Sequence, residues 1–157
     1  MVRVVQSCTP KMRMRRHLVK DWMTPDPITI GPDTTLPEAN HLMKECNIRR
    51  LLVVEDCRLV GIVTLGDIRE ASPSSATALS FYELNYLIAR LTVREIMTRD
   101  PITVSPDTSI EAAARLMLEH KFGALPVCDG DRLVGIITET DIFRLLVSEF
   151  ETRSVYA

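Results

Sequence analysis

The sequence predicts an α/β (α+β) chain made of two copies of one β-α-β-β-α unit. Three observations carry that prediction. Val19–Glu70 aligns with Val93–Arg144 without a gap, at an offset of 74 residues and with 24 identities in 52 positions. A repeat of this kind means one structural unit used twice. Each copy holds an apolar run of helical period behind a capping signal. Each copy also holds two Val/Ile-rich runs joined by so short a turn that the strands must be antiparallel. Units this small bury little core alone, so the copies are expected to pack on each other.

The elements follow in order. Val19–Met23 and Val93–Met97 read as short helical turns, and Ile28–Ile30 and Ile102–Val104 as short strands between prolines. Helices are predicted over roughly 35–46 and 109–120. Thr35 with Glu38, and Thr108 with Glu111, have the capping-box spacing. Leu36, Ala39, Leu42 and Met43 recur at helical period, as do Ile110, Ala113, Leu116 and Met117. Leu51–Val54 and Leu125–Cys128 form the second strands, and polar turns lead into the third. A second helix closes each unit. The chain divides into a basic arm (1–18), the first repeat (19–71), a linker (72–92), the second repeat (93–150) and a tail (151–157).

The linker opens with a Ser/Pro/Ala stretch. It continues as an amphipathic helix capped by Ser80 and Glu83, with Leu84, Leu87, Ile88 and Leu91 on one side. That side packs on its own domain or forms a dimer or effector surface; both remain open. The arm carries Arg3, Lys11, Arg13, Arg15 and Arg16 with no acid through residue 17. It reads as a solvated tail, or an artefact of an upstream start since Met12 and Met14 also serve, or a contact for a phosphate-bearing partner.

Composition narrows the function classes. Hydrophobic residues are 46%, charged residues 25% and net charge is −2, an ordinary globular balance with no global field for nucleic acid. Aromatics at 5% leave few stacking platforms for single strands. No apolar run reaches the roughly 20 residues of a bilayer span. The cysteines (Cys8, Cys46, Cys57, Cys128) and histidines (His17, His41, His120) are scattered, which argues against zinc and fits a reducing cytoplasm. Cys46 and Cys128 lie in apolar segments and are expected in the core. There is no nucleophile–base pair, metal-ligand set or paired carboxylates at useful spacing, so catalysis is not expected.

The chemistry concentrates at the end of the third strand, which reads Arg58-Leu-Val-Gly-Ile-Val-Thr64-Leu-Gly-Asp67-Ile in one copy and Arg132-Leu-Val-Gly-Ile-Ile-Thr138-Glu-Thr-Asp141-Ile in the other. A Thr-x-x-Asp where a strand hands over to a helix caps that helix, binds a polar ligand, or does both.

Two copies of Met-Thr-x-x-Pro-Ile-Thr-[Ile/Val]-x-Pro-Asp-Thr, each followed by a capped helix, Leu-x-Val and Leu-Val-Gly-Ile-x-Thr-x-x-Asp-Ile, resemble a tandem CBS-domain pair, or Bateman module. The resemblance covers Val19 to about Val147. Asp67–Pro73 and Glu83–Leu87 further resemble stand-alone bacterial CBS-pair proteins of the acetoin-utilisation type. The resemblance implies two repeats packed sheet to sheet about a pseudo-two-fold axis, with two clefts between them. It implies pairing through helices into a homodimer, a disc of four repeats. It also implies an adenosine-containing regulatory ligand (AMP, ADP, ATP or S-adenosylmethionine), with no cofactor required.

Through the resemblance, Asp67 and Asp141 match the position that takes ribose hydroxyls, and Thr64 and Thr138 the one that contacts phosphate. One cleft is expected to join Arg50, Ile62, Thr64 and Asp67 with Thr98 and Thr103. The other joins Ile136, Thr138 and Asp141 with Thr24, Thr29 and Ile48. Arg49 and Arg50 match a phosphate-holding basic pair, where the second copy has Gly123 and Ala124. The pair is therefore expected to make the first cleft the site for a phosphorylated ligand, leaving the second with a weaker or less charged ligand, or none. The implied function is a ligand-sensing module acting in trans on an unknown effector protein. The alternative is a structural dimerisation module with vestigial clefts.

Overall fold

In the computed structural model, residues 17–71, 86 and 88–154 are described. The arm through residue 16 falls outside them, as do residues 72–85 and 87 of the linker; of the linker's apolar side Ile88 and Leu91 are described, and Leu91 packs against the core around Leu36 and Leu51. The first repeat contains α1 (Val19–Trp22), β1 (Thr24–Pro25), β2 (Thr29–Ile30), α2 (Leu36–Glu45), β3 (Arg50–Glu55), β4 (Arg58–Thr64) and α3 (Leu65–Ala71). The second contains α4 (Val93–Ile96), β5 (Thr98–Arg99), α5 (Ile110–His120), β6 (Ala124–Asp129), β7 (Arg132–Thr138) and α6 (Glu139–Ser154).

The strands form two sheets, in the orders β1-β7-β6 and β2-β3-β4-β5. The hairpins β3–β4 and β6–β7 are antiparallel, as their short turns require. The leader segments cross over. β1 pairs with β7 through Thr24 and Ile136, and β5 pairs with β4 through Thr98 and Ile62. Each sheet is thus completed by the opening residues of the other repeat. The cores follow suit: Val19 packs with Ile110, Leu125 and Ile137, and Val93 packs with Leu36, Leu51 and Val63. Both leader valines are fully buried.

The crossing is pinned twice, with matching atoms. Val19 N–H donates to Thr108 O (2.9 Å) and Lys20 N–H to Pro106 O (2.9 Å). Val93 N–H donates to Thr34 O (2.9 Å) and Arg94 N–H to Pro32 O (2.8 Å). Lys20 pairs with Asp107 at 2.7 Å and Arg94 with Asp33 at 3.2 Å. Gly61 and Gly135 make the close approach possible: a Cβ there would stand 2.5 Å from Met97 Sδ or Met23 Sδ respectively.

The structure corrects several expectations. α2 carries the predicted Thr35–Glu38 capping box. α5 is capped one residue later than expected: Ser109 Oγ accepts from Ala112 N–H at 3.2 Å. The Thr108 hydroxyl is occupied by Ser105 N–H at 3.1 Å, closing the preceding turn. The strand expected at Ile102–Val104 shrinks to one bridge, Val104 with Val127. Pro126 stands where Leu52 stands in the first copy, and without an N–H it removes a ladder bond. Cys46, expected in the core, is exposed at the end of α2, and Cys128 is half-buried.

Gly61→Ala and Gly135→Ala are each expected to lower the unfolding free energy by about 1–3 kcal/mol, because the crossing Met and backbone must yield. Gly31→Ala, which meets nothing within 4 Å, is the control and should stay within about 0.5 kcal/mol. Urea denaturation followed by circular dichroism checks both.

Candidate functional site: two clefts between the repeats

β4 and β7 end in threonine, and the helix begins at the next residue. The handover is fixed by backbone: Leu65 N–H donates to Arg49 O (2.9 Å) and Glu139 N–H to Gly123 O (3.2 Å). The Thr-x-x-Asp motif does cap. Asp67 Oδ2 accepts from Thr64 N–H (2.7 Å) and Thr64 Oγ1 (2.8 Å). Asp141 Oδ2 accepts from Thr138 N–H and Thr138 Oγ1, both at 2.8 Å. One carboxylate oxygen in each copy is therefore committed to the helix start.

The second oxygens differ. Asp141 Oδ1 accepts from Arg144 Nη1 at 3.1 Å, and Asp141 is only 3% exposed. Asp67 is half-buried, and its Oδ1 has no partner among the described residues. The cause is local: three residues after Asp67 stands Glu70, where Arg144 follows Asp141.

Two clefts open beside these motifs. The first has a volume of about 740 Å³ and brings together Arg50, Ile62, Thr64, Asp67 and Thr98. The second, about 560 Å³, brings together Thr24, Ile48, Ile136, Thr138 and Asp141. Both fall in the range of small-molecule sites. The crossing strands explain why each cleft mixes the two repeats. Asp26 and Asp100, both at φ 46°, turn the chain behind those strands in a left-handed conformation that Asp tolerates. Pro27 and Ile28 then line the second cleft, and Pro101 and Ile102 the first.

Thr29 and Thr103 do not reach the clefts that were expected to hold them. Thr29 is exposed in β2 opposite Leu52, and Thr103 lines a separate small pocket with Arg58 and Asp131. Neighbouring residues in extended chain face opposite ways, so Ile28 and Ile102 occupy the cleft side instead. A second correction concerns charge. Arg49 and Arg50 line both clefts, not the first alone. Arg50 lies against Gly123, where any Cβ would collide with its guanidinium.

The clefts still differ electrostatically, through residues that the sequence reading missed. The first adds Arg69 and Lys121 to the arginine pair, against Asp67 and Asp100. The second adds only Arg144, against Asp26, Glu139 and Asp141. Among the described residues none of Arg49, Arg50, Arg69 and Lys121 has an ion-pair partner. The offset of 74 holds the signal: it sets Arg69 against Phe143, Lys121 against Asn47 and Arg144 against Glu70. The first cleft also presents Phe122, stacked on His120 with ring centroids 5.2 Å apart. That ring is a flat apolar surface for a base. No group of acidic, His or Cys side chains suited to a metal occurs among the described residues, and no helix there is long and apolar enough to cross a membrane.

A crossed pair of sheets with two matched clefts is the arrangement of a CBS pair, and residues 19–74 and 93–148 each match the CBS domain family. The chain belongs to that family. Its fold is similar to that of AcuB, a Vibrio cholerae protein named for acetoin utilization, at TM-score 0.73 and 33% identity, covering 89% of this chain and 97% of that one. It is also similar to CBSX2 in complex with AMP (TM-score 0.70, 34% identity, covering 84% and 97%). The CBS pair of MJ0100, in complex with 5′-methylthioadenosine and S-adenosyl-L-methionine, gives TM-score 0.72 and 33% identity over 86% and 99%. Enzymes match in part only: the chain is 36% identical to inosine-5′-monophosphate dehydrogenase of Korarchaeum cryptofilum but spans 24% of its length.

The two aspartates respond differently to one substitution. In Asp67→Asn the amide carbonyl can stay on Thr64 while the NH2 turns to the cleft, so stability should change by less than about 0.5 kcal/mol. In Asp141→Asn the NH2 must face either the Thr138 donors or Arg144, and the loss should be about 1–3 kcal/mol. Equal midpoints and slopes in urea denaturation would count against this account.

Proposed function

We propose that the chain is a regulatory module that binds an adenosine-containing ligand between its repeats and modulates a separate effector protein in trans. AMP-class nucleotides are the ligands of choice for the cleft at Asp67. The observation that carries this reading is the company in that cleft: a carboxylate oxygen and four cations that have no partner among the described residues, and an aromatic face. A ribose diol needs an acceptor, phosphate needs forked donors, and a base needs an apolar wall. Relatives in complex with AMP and with S-adenosyl-L-methionine support the ligand class. The reading is of a non-catalytic, cytoplasmic module that needs no cofactor. Ligand acts only as far as it binds one arrangement of the repeats more tightly than another.

Isothermal titration tests the ligand. Arg50→Ala should weaken AMP at least about tenfold while leaving adenosine within a factor of about two, since a charged hydrogen-bond pair contributes about 1.5–3 kcal/mol. Asp67→Ala should weaken both ligands. Failure of the unsubstituted protein to bind AMP, or equal loss of AMP and adenosine in Arg50→Ala, would sink the assignment.

A dimerisation role has its own support. Phe143, Val147 and Phe150 lie on one face of α6 at i, i+4 and i+7, exposed by 63%, 55% and 65%. We read this stripe as the contact for a second copy of the chain, giving a disc of four repeats. A charge in the stripe, Val147→Glu, should convert dimer to monomer in sedimentation equilibrium without loss of helix content. A monomeric unsubstituted protein at micromolar concentration would refute the dimer.

A further inference from the structure

We propose that Arg49 and Arg50 couple the two clefts negatively: a phosphate-bearing ligand in the first weakens phosphate binding in the second. The inference rests on the nucleotide reading above and goes beyond it. The pair comes from one repeat only, since the equivalent positions in the other are Gly123 and Ala124. Yet both arginines line both clefts. Arg50 can do so because Gly123 leaves its guanidinium room on the far side of the repeat interface. The small residues of the second repeat are thus the space that the first repeat's cation occupies.

Neither arginine has an ion-pair partner among the described residues to hold it in place. A phosphate binds a guanidinium through its forked N–H edge, and an arginine drawn onto a phosphate in one cleft withdraws its single positive charge from the other. The first cleft wins the contest because Arg69 and Lys121 add to its pull. Once the pair is drawn there, the second cleft keeps Arg144, already bonded to Asp141, facing Asp26 and Glu139. Its remaining field repels an anion. Coupling of this kind is reciprocal. It requires phosphate, so adenosine leaves the two clefts independent. The second cleft then responds to a phosphorylated ligand chiefly while the first is vacant.

The test is a titration of the full chain with AMP, followed by ¹H–¹⁵N spectra. The Gly66 amide reports the first cleft and the Thr140 amide the second. In the unsubstituted protein, Gly66 should respond first, with the Thr140 midpoint at least about tenfold higher in AMP, within the usual size of site–site coupling. In Asp67→Asn, which leaves both arginines in place, the Thr140 midpoint should fall about fivefold or more as the first cleft loses its hold. With adenosine, Asp67→Asn should leave the Thr140 midpoint unchanged. A Thr140 response to AMP that does not shift in Asp67→Asn, or that is absent from it, overturns the coupling while leaving AMP binding at Gly66 intact. Silence at both amides overturns the nucleotide reading itself.

Discussion

The crossing of the leader segments is the constraint on which the rest depends. A unit of this size buries little core alone, and here each one borrows a fully buried valine and a strand from its neighbour. The exchange is reciprocal, so neither repeat is complete without the other. It also creates the clefts. Thr24 and Thr98 reach the opposite repeat's Thr-x-x-Asp only because their strands sit beside Ile136 and Ile62. The glycine before each of those isoleucines is what lets the crossing methionine approach. The glycine is thus a packing requirement, and the packing it permits builds the clefts.

The Thr-x-x-Asp motif shows how one residue can hold a helix and still offer chemistry. A carboxylate has two oxygens. In both copies Oδ2 takes the threonine N–H and hydroxyl, which settles where the helix starts. Capping therefore engages only one of the two Asp67 oxygens among the described residues. The cap holds the carboxylate in place, and Asp67 lines the first cleft. For Asp141 the same cap is followed by Arg144, which takes the second oxygen.

Much of this was legible in the sequence. The gapless repeat, the capped α2 and the antiparallel hairpins all rest on local patterns, and local patterns survive in the fold. The crossing was not legible from periodicity, because two-residue strands such as β1 and β5 carry no period from which to read a partner. Thr29 and Thr103 were misplaced for a related reason. A left-handed aspartate just upstream decides which of two neighbouring residues faces the cleft, and sequence does not display φ. Cys46 has apolar neighbours in the sequence, but α2 ends there and its last residues face solvent. The shared use of Arg49 and Arg50 needed three dimensions, since each arginine spans a boundary that the alignment treats as a division.

Near-identity of the two motifs does not make equivalent sites. Arg144 takes the second oxygen of Asp141, while Asp67 N–H also donates to Thr64 Oγ1 at 3.2 Å; the Arg144 guanidinium is largely exposed, at 68%. An ion pair open to water on one side contributes about 0–1 kcal/mol, so Arg144 can leave Asp141 when a stronger donor arrives. The clasp therefore does not close the cleft. Charge also differs, since the first cleft holds four cations against two acids and the second three against three. Duplication supplied two copies of one binding geometry. Residues outside the shared motif, Arg69 and Lys121 beside the first and Arg144 beside the second, give the two clefts different charge.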